Sequence, residues 1–138
     1  MKEYTGDYLE IGPSKPSGKW RQYTYIKIGT ETIKSAYIDE RLSIVLRDQV
    51  KRGGHAKLWI IQWAFRPLII GITQNDGQTF RQSLFTQYGF AGICLAIAAG
   101  TLMAWDIGKF ILPLAILGAW LNIGLISKIK KIPADHIY

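Results

Sequence analysis

The chain has few groups suited to covalent chemistry. Cys94 is its only cysteine, so no disulfide can close within it, and the default role of a lone buried thiol is that of a small apolar side chain. Only two histidines are present, His55 and His136, and they lie far apart in sequence. No HExxH or paired-cysteine pattern accompanies them, and a P-loop and a nucleophile elbow are missing as well. Asp7, Glu10, Glu31, Asp39, Glu40 and Asp48 are carboxylates whose spacing pairs no general acid with a base. The expectation is a non-enzymatic protein with no catalytic residue, no metal and no cofactor.

A second absence concerns targeting. The opening MKEYTGDYLEIG is charged at its start but has no apolar stretch behind it, so no signal peptide is expected from it. The first 80 or so residues are therefore expected to fold in the cytoplasm.

The third absence is charge over two long runs. Residues 89–105 read GFAGICLAIAAGTLMAW and residues 110–126 read FILPLAILGAWLNIGLI, and neither contains a charged side chain. Both sit near the lower length limit of a membrane-spanning helix. A helix on the surface of a soluble protein needs a polar stripe, and Thr101 and Asn122 alone interrupt these runs. The competing reading, two buried core helices, meets a remainder too small to wrap both. The pattern thus predicts a two-helix transmembrane hairpin over residues 84–127, turning at Asp106 to Lys109. Phe85, Tyr88 and Trp105 become interfacial anchors, and Pro113 reads as part of a helix start, where its missing donor costs least.

Charge sets the expected orientation. Residues 1–87 carry thirteen Lys or Arg against eight Asp or Glu, and the tail, residues 128–138, adds Lys128, Lys130 and Lys131. Basic segments next to membrane spans stay in the cytoplasm. Both termini are therefore placed on the cytoplasmic side of a bacterial-type inner (plasma) membrane.

Before the hairpin, short runs rich in β-branched and aromatic residues alternate with turn residues. They are YTYIKI (23–28), ETIKSAYI (31–38), LSIVL (42–46), AKLWIIQW (56–63), PLIIGIT (67–73) and QTFRQ (78–82). Asn75-Asp76-Gly77 between the last two is a strong hairpin signal. Six short strands in residues 23–83 predict a small cytoplasmic all-β domain, an SH3-like or OB-like barrel. Residues 1–22, rich in glycine, proline and serine, read as an irregular arm or an extra edge strand around Tyr8 to Ile11. The overall expectation is an α+β membrane protein.

Three sets of residues stand above this background. Gly92, Ala96 and Gly100 on the first helix, with Ala115 and Ala119 on the second, form small-residue faces that allow helices to approach closely. Asn122 should point toward protein rather than acyl chains. These faces meet each other within the hairpin, or else a second copy or a partner helix. The basic and aromatic residues form the third set: Lys19, Trp20, Arg21, Lys51, Arg52, Lys57 and Arg66, joined by Lys128, Lys130 and Lys131. They suit anionic headgroups or, less well, single-stranded nucleic acid.

The expected partners are membrane lipids together with a protein partner or a second copy of the chain, with nucleic acid as the weaker alternative. The leading function is an interaction or adaptor subunit of a membrane assembly. Alternatives are an immunity-type protein that neutralises a membrane-acting toxin, a membrane-tethered nucleic-acid binder, and a component of an oligomeric channel or transporter.

Overall fold

The computed structural model covers residues 1–138; it describes all of them except Ala64 and Ala104, and it describes no side chain for Thr86 or for residues 102–110. The chain divides into two units: Met1–Gln82 with Ile132–Tyr138, and Ser83–Lys131. Each is described by itself.

The first unit is a nine-stranded mixed sheet with one helix. Its strands are β1 (Lys2–Gly6), β2 (Leu9–Ile11), β3 (Ser14–Ser17), β4 (Trp20–Ile28), β5 (Glu31–Asp39), β6 (Ala56–Trp63), β7 (Arg66–Thr73), β8 (Thr79–Arg81) and β9 (His136–Ile137). Helix α1 (Glu40–Arg52) separates β5 from β6. The main path runs β1-β6-β7-β5-β4-β2, with β3 also on β4, and β8 and β9 continuing from β7. Because only Asp7 and Tyr8 separate β1 from β2, and these strands lie at opposite ends of that path, the sheet must curl upon itself. Gly6 and Gly29 mark the meeting place: a β-carbon on Gly6 would lie 2.5 Å from the Gly29 nitrogen.

The six-stranded all-β barrel expected from sequence is thus corrected in three respects. LSIVL is helix, not strand. Its Ile-Val pair has β propensity, but Leu42, Val45, Leu46 and Gln49 are all buried at helical spacing, and the amphipathic period over thirteen residues prevails over a five-residue window. Asp39 caps the helix, its Oδ1 accepting from the Arg41 N–H at 2.9 Å. The sheet is also mixed, since β5 pairs with β7 in parallel, as the α1 crossover allows. Third, the segment read as an arm supplies β1, β2 and β3. Pro16 falls in β3, which pairs only with β4, a sheet edge where a missing donor is tolerated.

Strand patterning explains the core. In β5 the inward residues are Ile33, Ala36 and Ile38; the three-residue step passes Ser35, whose φ is 53°, and β4 matches it with the step from Tyr23 to Ile26, so the pairing register is unbroken. In β7 every residue from Leu68 to Ile72 is buried, as expected of a strand covered on both faces. One face joins the main core through Ile69 and Ile72. On Gly71, Ile132 of the returning chain and the Trp59 ring would sit 3.1 to 3.2 Å from an added β-carbon. Residues 128–138, read as a basic tail, therefore include a segment that belongs to the β unit, with β9 pairing in parallel with β8.

One charge pair has a readable pH signature. Arg21 donates from Nε and a terminal nitrogen to both Glu40 oxygens, each at 2.8 Å. This bidentate bond holds the Glu40 carboxyl below its ordinary value of 4.5. A lowered carboxyl stabilises the fold fully above the ordinary value and loses that contribution as pH falls through the lowered one. Urea unfolding of wild type and Arg21→Gln should therefore differ by a constant amount above 4.5 and by progressively less below it. A gap that stays the same in acid would show that the pair has no part in the difference.

The second unit is helical. Helix α2 spans Phe85–Met103 and α3 spans Trp105–Lys130. The two-helix transmembrane hairpin is corrected here. Among the described residues only one stretch, Ile111–Lys130, is long and apolar enough to cross a membrane, whereas the apolar part of α2 covers Gln87–Thr101. At 1.5 Å per residue the latter reaches about 22 Å, short of a hydrocarbon core of about 30 Å. The turn is displaced as well. Asp106 to Lys109 lie in the first turns of α3, so Pro113 is inside that helix rather than at its start. The side chains of Trp105 and Asp106, expected at an interface, lie outside the described residues.

Candidate functional site

The surface of the helical unit is the feature that the fold leaves unexplained. The two helices run antiparallel: a β-carbon on Gly118 would lie 3.1 Å from the Cys94 sulfur, and the Lys130 ammonium sits 5.6 Å from the centre of the Tyr88 ring. Ala91 and Cys94 of α2 are buried, as are Ala115, Ala119, Asn122 and Leu125 of α3. Small side chains let the backbones approach closely. As a consequence, little of the large apolar surface is consumed by the contact.

What remains outside is apolar. Leu114 and Trp120 of α3 are each 69% exposed, and Ile116 is 55% exposed; on α2, Phe90, Ile93 and Leu95 are likewise exposed. Only 28% of the most apolar stretch of α3 is buried, whereas the core helix of a soluble protein is mostly buried. Two polar side chains within the apolar stretches are satisfied locally, whereas the Gln87 Oε1 near the start of α2 is buried with no hydrogen-bond partner among the described residues. Asn122 Nδ2 donates to the Gly118 carbonyl at 2.8 Å, and Thr101 Oγ1 donates to the Ala98 carbonyl at 2.9 Å. For Asn122 and Thr101 this is the pairing that a water-free surrounding requires.

Among the described side chains, charge and interfacial aromatics collect at one end. Because the helices are antiparallel, the start of α2 and the end of α3 lie together, with exposed Phe85 and Tyr88 on one and exposed Lys128 and Lys130 on the other, followed by Lys131. Lysines in the last turn also complement the helix dipole. An aromatic and basic collar at one end of an apolar helix pair has the composition of a membrane interface.

The other residues singled out from sequence distribute differently. Gly92, Ala96 and Gly100 are exposed, and an added β-carbon on Gly92 or Gly100 would meet nothing within 4 Å. That stripe points away from α3, while Ala115 and Ala119 point toward α2. The amide of Asn122 bonds within its own helix rather than to α2.

The basic and aromatic residues of the β unit do not form one patch of free cations. Arg21 is paired with Glu40, Arg52 with Asp48 at 2.8 Å, and Lys57 with Glu3 at 2.6 Å. Lys57 also lies 4.1 Å above the Trp59 ring, and Arg66 lies over Tyr37. Trp20 is half-buried in β4, and Lys19 is exposed beside it in the turn after β3. Lys51, exposed on α1, lines a cleft together with Arg47, a residue that sequence reasoning did not select. Its cue was the spacing of Arg47 and Lys51, four apart on the outer face of a helix that was read as a strand.

The histidines are placed apart. His55 is exposed and its Nδ1 lies 2.7 Å from Asp7 Oδ1, whereas His136 stacks on Phe80 with ring centres 5.0 Å apart. Among the described residues no group of three or more His, Cys, Asp or Glu could hold a metal ion.

Fold and surface together define the class of molecule: a curled mixed β-sheet unit carrying an apolar pair of antiparallel helices. No protein-family model matches the chain, and no curated protein or solved structure matches it either.

Proposed function

We propose that this is a non-enzymatic, membrane-associated interaction protein that meets a lipid bilayer through the apolar surface of its helical unit, that of α3 above all, and presents its β unit at the cytoplasmic face. The observation that carries the reading is the exposure of large apolar side chains around both helices, Leu114 and Trp120 above all. Water would oppose such a surface by about 25 cal/mol for each Å², and acyl chains would not. The helical unit leaves the β unit after Gln82 and returns to it at Ile132. Lys128, Lys130 and Lys131 at the returning end support the cytoplasmic side. The outward stripe Gly92, Ala96 and Gly100 would then lie in lipid, where a small-residue face suits a helix of a partner protein.

Alkaline carbonate extraction of membranes from cells that make the protein tests the reading. The protein should stay in the pellet and float with the lipid. Complete release into the supernatant as a dispersed species would contradict it.

A further inference from the structure

The β unit holds a cleft of about 620 Å³ on the outer face of α1, within the usual size range of small-ligand sites. One wall is helical. Ile44, Arg47, Asp48 and Lys51 recur there at helical spacing, while Leu42, Leu46 and Gln49 turn inward to the core. The opposite wall comes from the β7–β8 turn and the returning chain, through Gln74, Asp76, Gln78, Phe80 and Tyr138.

The charges of this cleft are not equivalent. Arg52 is occupied by Asp48 at 2.8 Å and by Asp76 at 3.9 Å. Arg47 has only a distant carboxylate, Glu40 at 3.9 Å, and Lys51 makes no ion pair among the described residues. Two cations one helical turn apart are thus available to an anion. Across from them the Phe80 and Tyr138 rings are stacked, with centres 5.8 Å apart and planes within 25°. Tyr138 is the exposed member of the pair and Phe80 the buried one, which gives an apolar ledge backed by the core.

We propose that this cleft binds a nucleotide-class ligand, a phosphate ester joined to a planar ring. The phosphate would sit on Arg47 and Lys51, where charge-assisted bonds are strongest, and the ring on Tyr138. Asp76 and Gln78 would face the polar edge of the ring, whereas Gln74 is turned inward and donates to the Val45 carbonyl at 3.3 Å. The two carboxylates of the cleft, Asp48 and Asp76, disfavour an acidic peptide or a uniformly charged polyanion, which would bring its negative charge against them as well as against the two cations. The cleft lies wholly within the β unit and does not depend on what surrounds α2 and α3.

The test is equilibrium dialysis of the full chain, in nanodiscs of neutral phosphatidylcholine, against radiolabelled AMP, GMP, CMP and UMP. At least one should bind saturably below about 1 mM. Lys51→Ala and Arg47→Ala should each weaken that binding by about ten-fold or more. Tyr138→Leu should weaken the nucleotide while leaving displacement by inorganic phosphate unchanged, and Lys34→Ala, an exposed lysine on β5 outside the cleft, should change nothing. No saturable binding of any of the four, or equal loss in Lys34→Ala and Lys51→Ala, would overturn the proposal. So would displacement by inorganic phosphate or phosphatidylglycerol vesicles as strong as displacement by the nucleotide itself, since the site would then recognise phosphate alone or a lipid surface.

Discussion

Leu121→Arg should release the protein from the membrane, or prevent its stable insertion. Leu121 is 46% exposed and lies near the middle of the apolar stretch Ile111–Lys130. In water an arginine at an exposed helical position is close to neutral, because the side chain is solvated and arginine is a good helix former. In hydrocarbon the same change costs about 2.5 to 3.5 kcal/mol at the centre of a span. The two surroundings therefore predict opposite results for one substitution. We expect a fall in the carbonate-resistant fraction and faster turnover in cells, measured against Lys128→Arg, a basic-to-basic change at the collar. Full retention of Leu121→Arg in the pellet would place α3 outside lipid.

The second large effect concerns the closure of the sheet. Gly6→Val should destabilise the β unit by about 3 kcal/mol, in the upper part of the range for forced overpacking. The β-carbon would lie 2.5 Å from the Gly29 nitrogen and 2.8 Å from the Gly29 α-carbon, and these are backbone atoms that cannot swing aside. Gly29 itself has φ of 57° in the two-residue turn from β4 to β5, so it is poorly placed to yield. The contact joins the end of β1 to the far side of the sheet. Its loss should appear as faster hydrogen exchange in β1 and in the paired residues of β6, with α1 less affected. Thr5→Ala, one residue earlier and exposed, is the control. Equal stability of Gly6→Val and wild type would mean that the two ends of the sheet do not need to meet.

How far these features could be read from sequence depends on the length of the pattern that encodes each one. The apolar helices were legible because charge is absent over long runs. The turn between them was not, because Asp106-Ile107-Gly108-Lys109 has turn composition, yet an aspartate near a helix start also suits the helix dipole. The packing face was missed for a related reason. Small residues lie on nearly every side of α2, so composition cannot single out Ala91 and Cys94 over Gly92 and Ala96. Helix α1 escaped because a five-residue window of Leu, Ile and Val resembles a strand, and the deciding signals were Asp39 before it and Gln49 within it. The three N-terminal strands have only three to five residues each, and their pairing with β4 and β6 comes from tertiary contact rather than local preference. β9 has only two residues, too few to carry any period. The cation pairs Arg21–Glu40 and Lys57–Glu3 bring together residues far apart in the chain, so the basic-aromatic surface looked freer than it is. The β6–β7 turn shows the same limit: Phe65 sits there with φ of 64° and is 98% exposed, which no preference of phenylalanine foretells.

The most direct measurement of the central claim is the environment of α3. A single cysteine would be placed at Ile116 in a Cys94→Ala background, spin-labelled, and reconstituted in bilayers. Power saturation would then compare collisions with oxygen and with a water-soluble nickel chelate. If α3 lies in lipid, oxygen should dominate at position 116 and the chelate should gain only toward Lys128 and Lys130. Strong relaxation by the chelate at position 116, equal to that at the collar, would contradict the account.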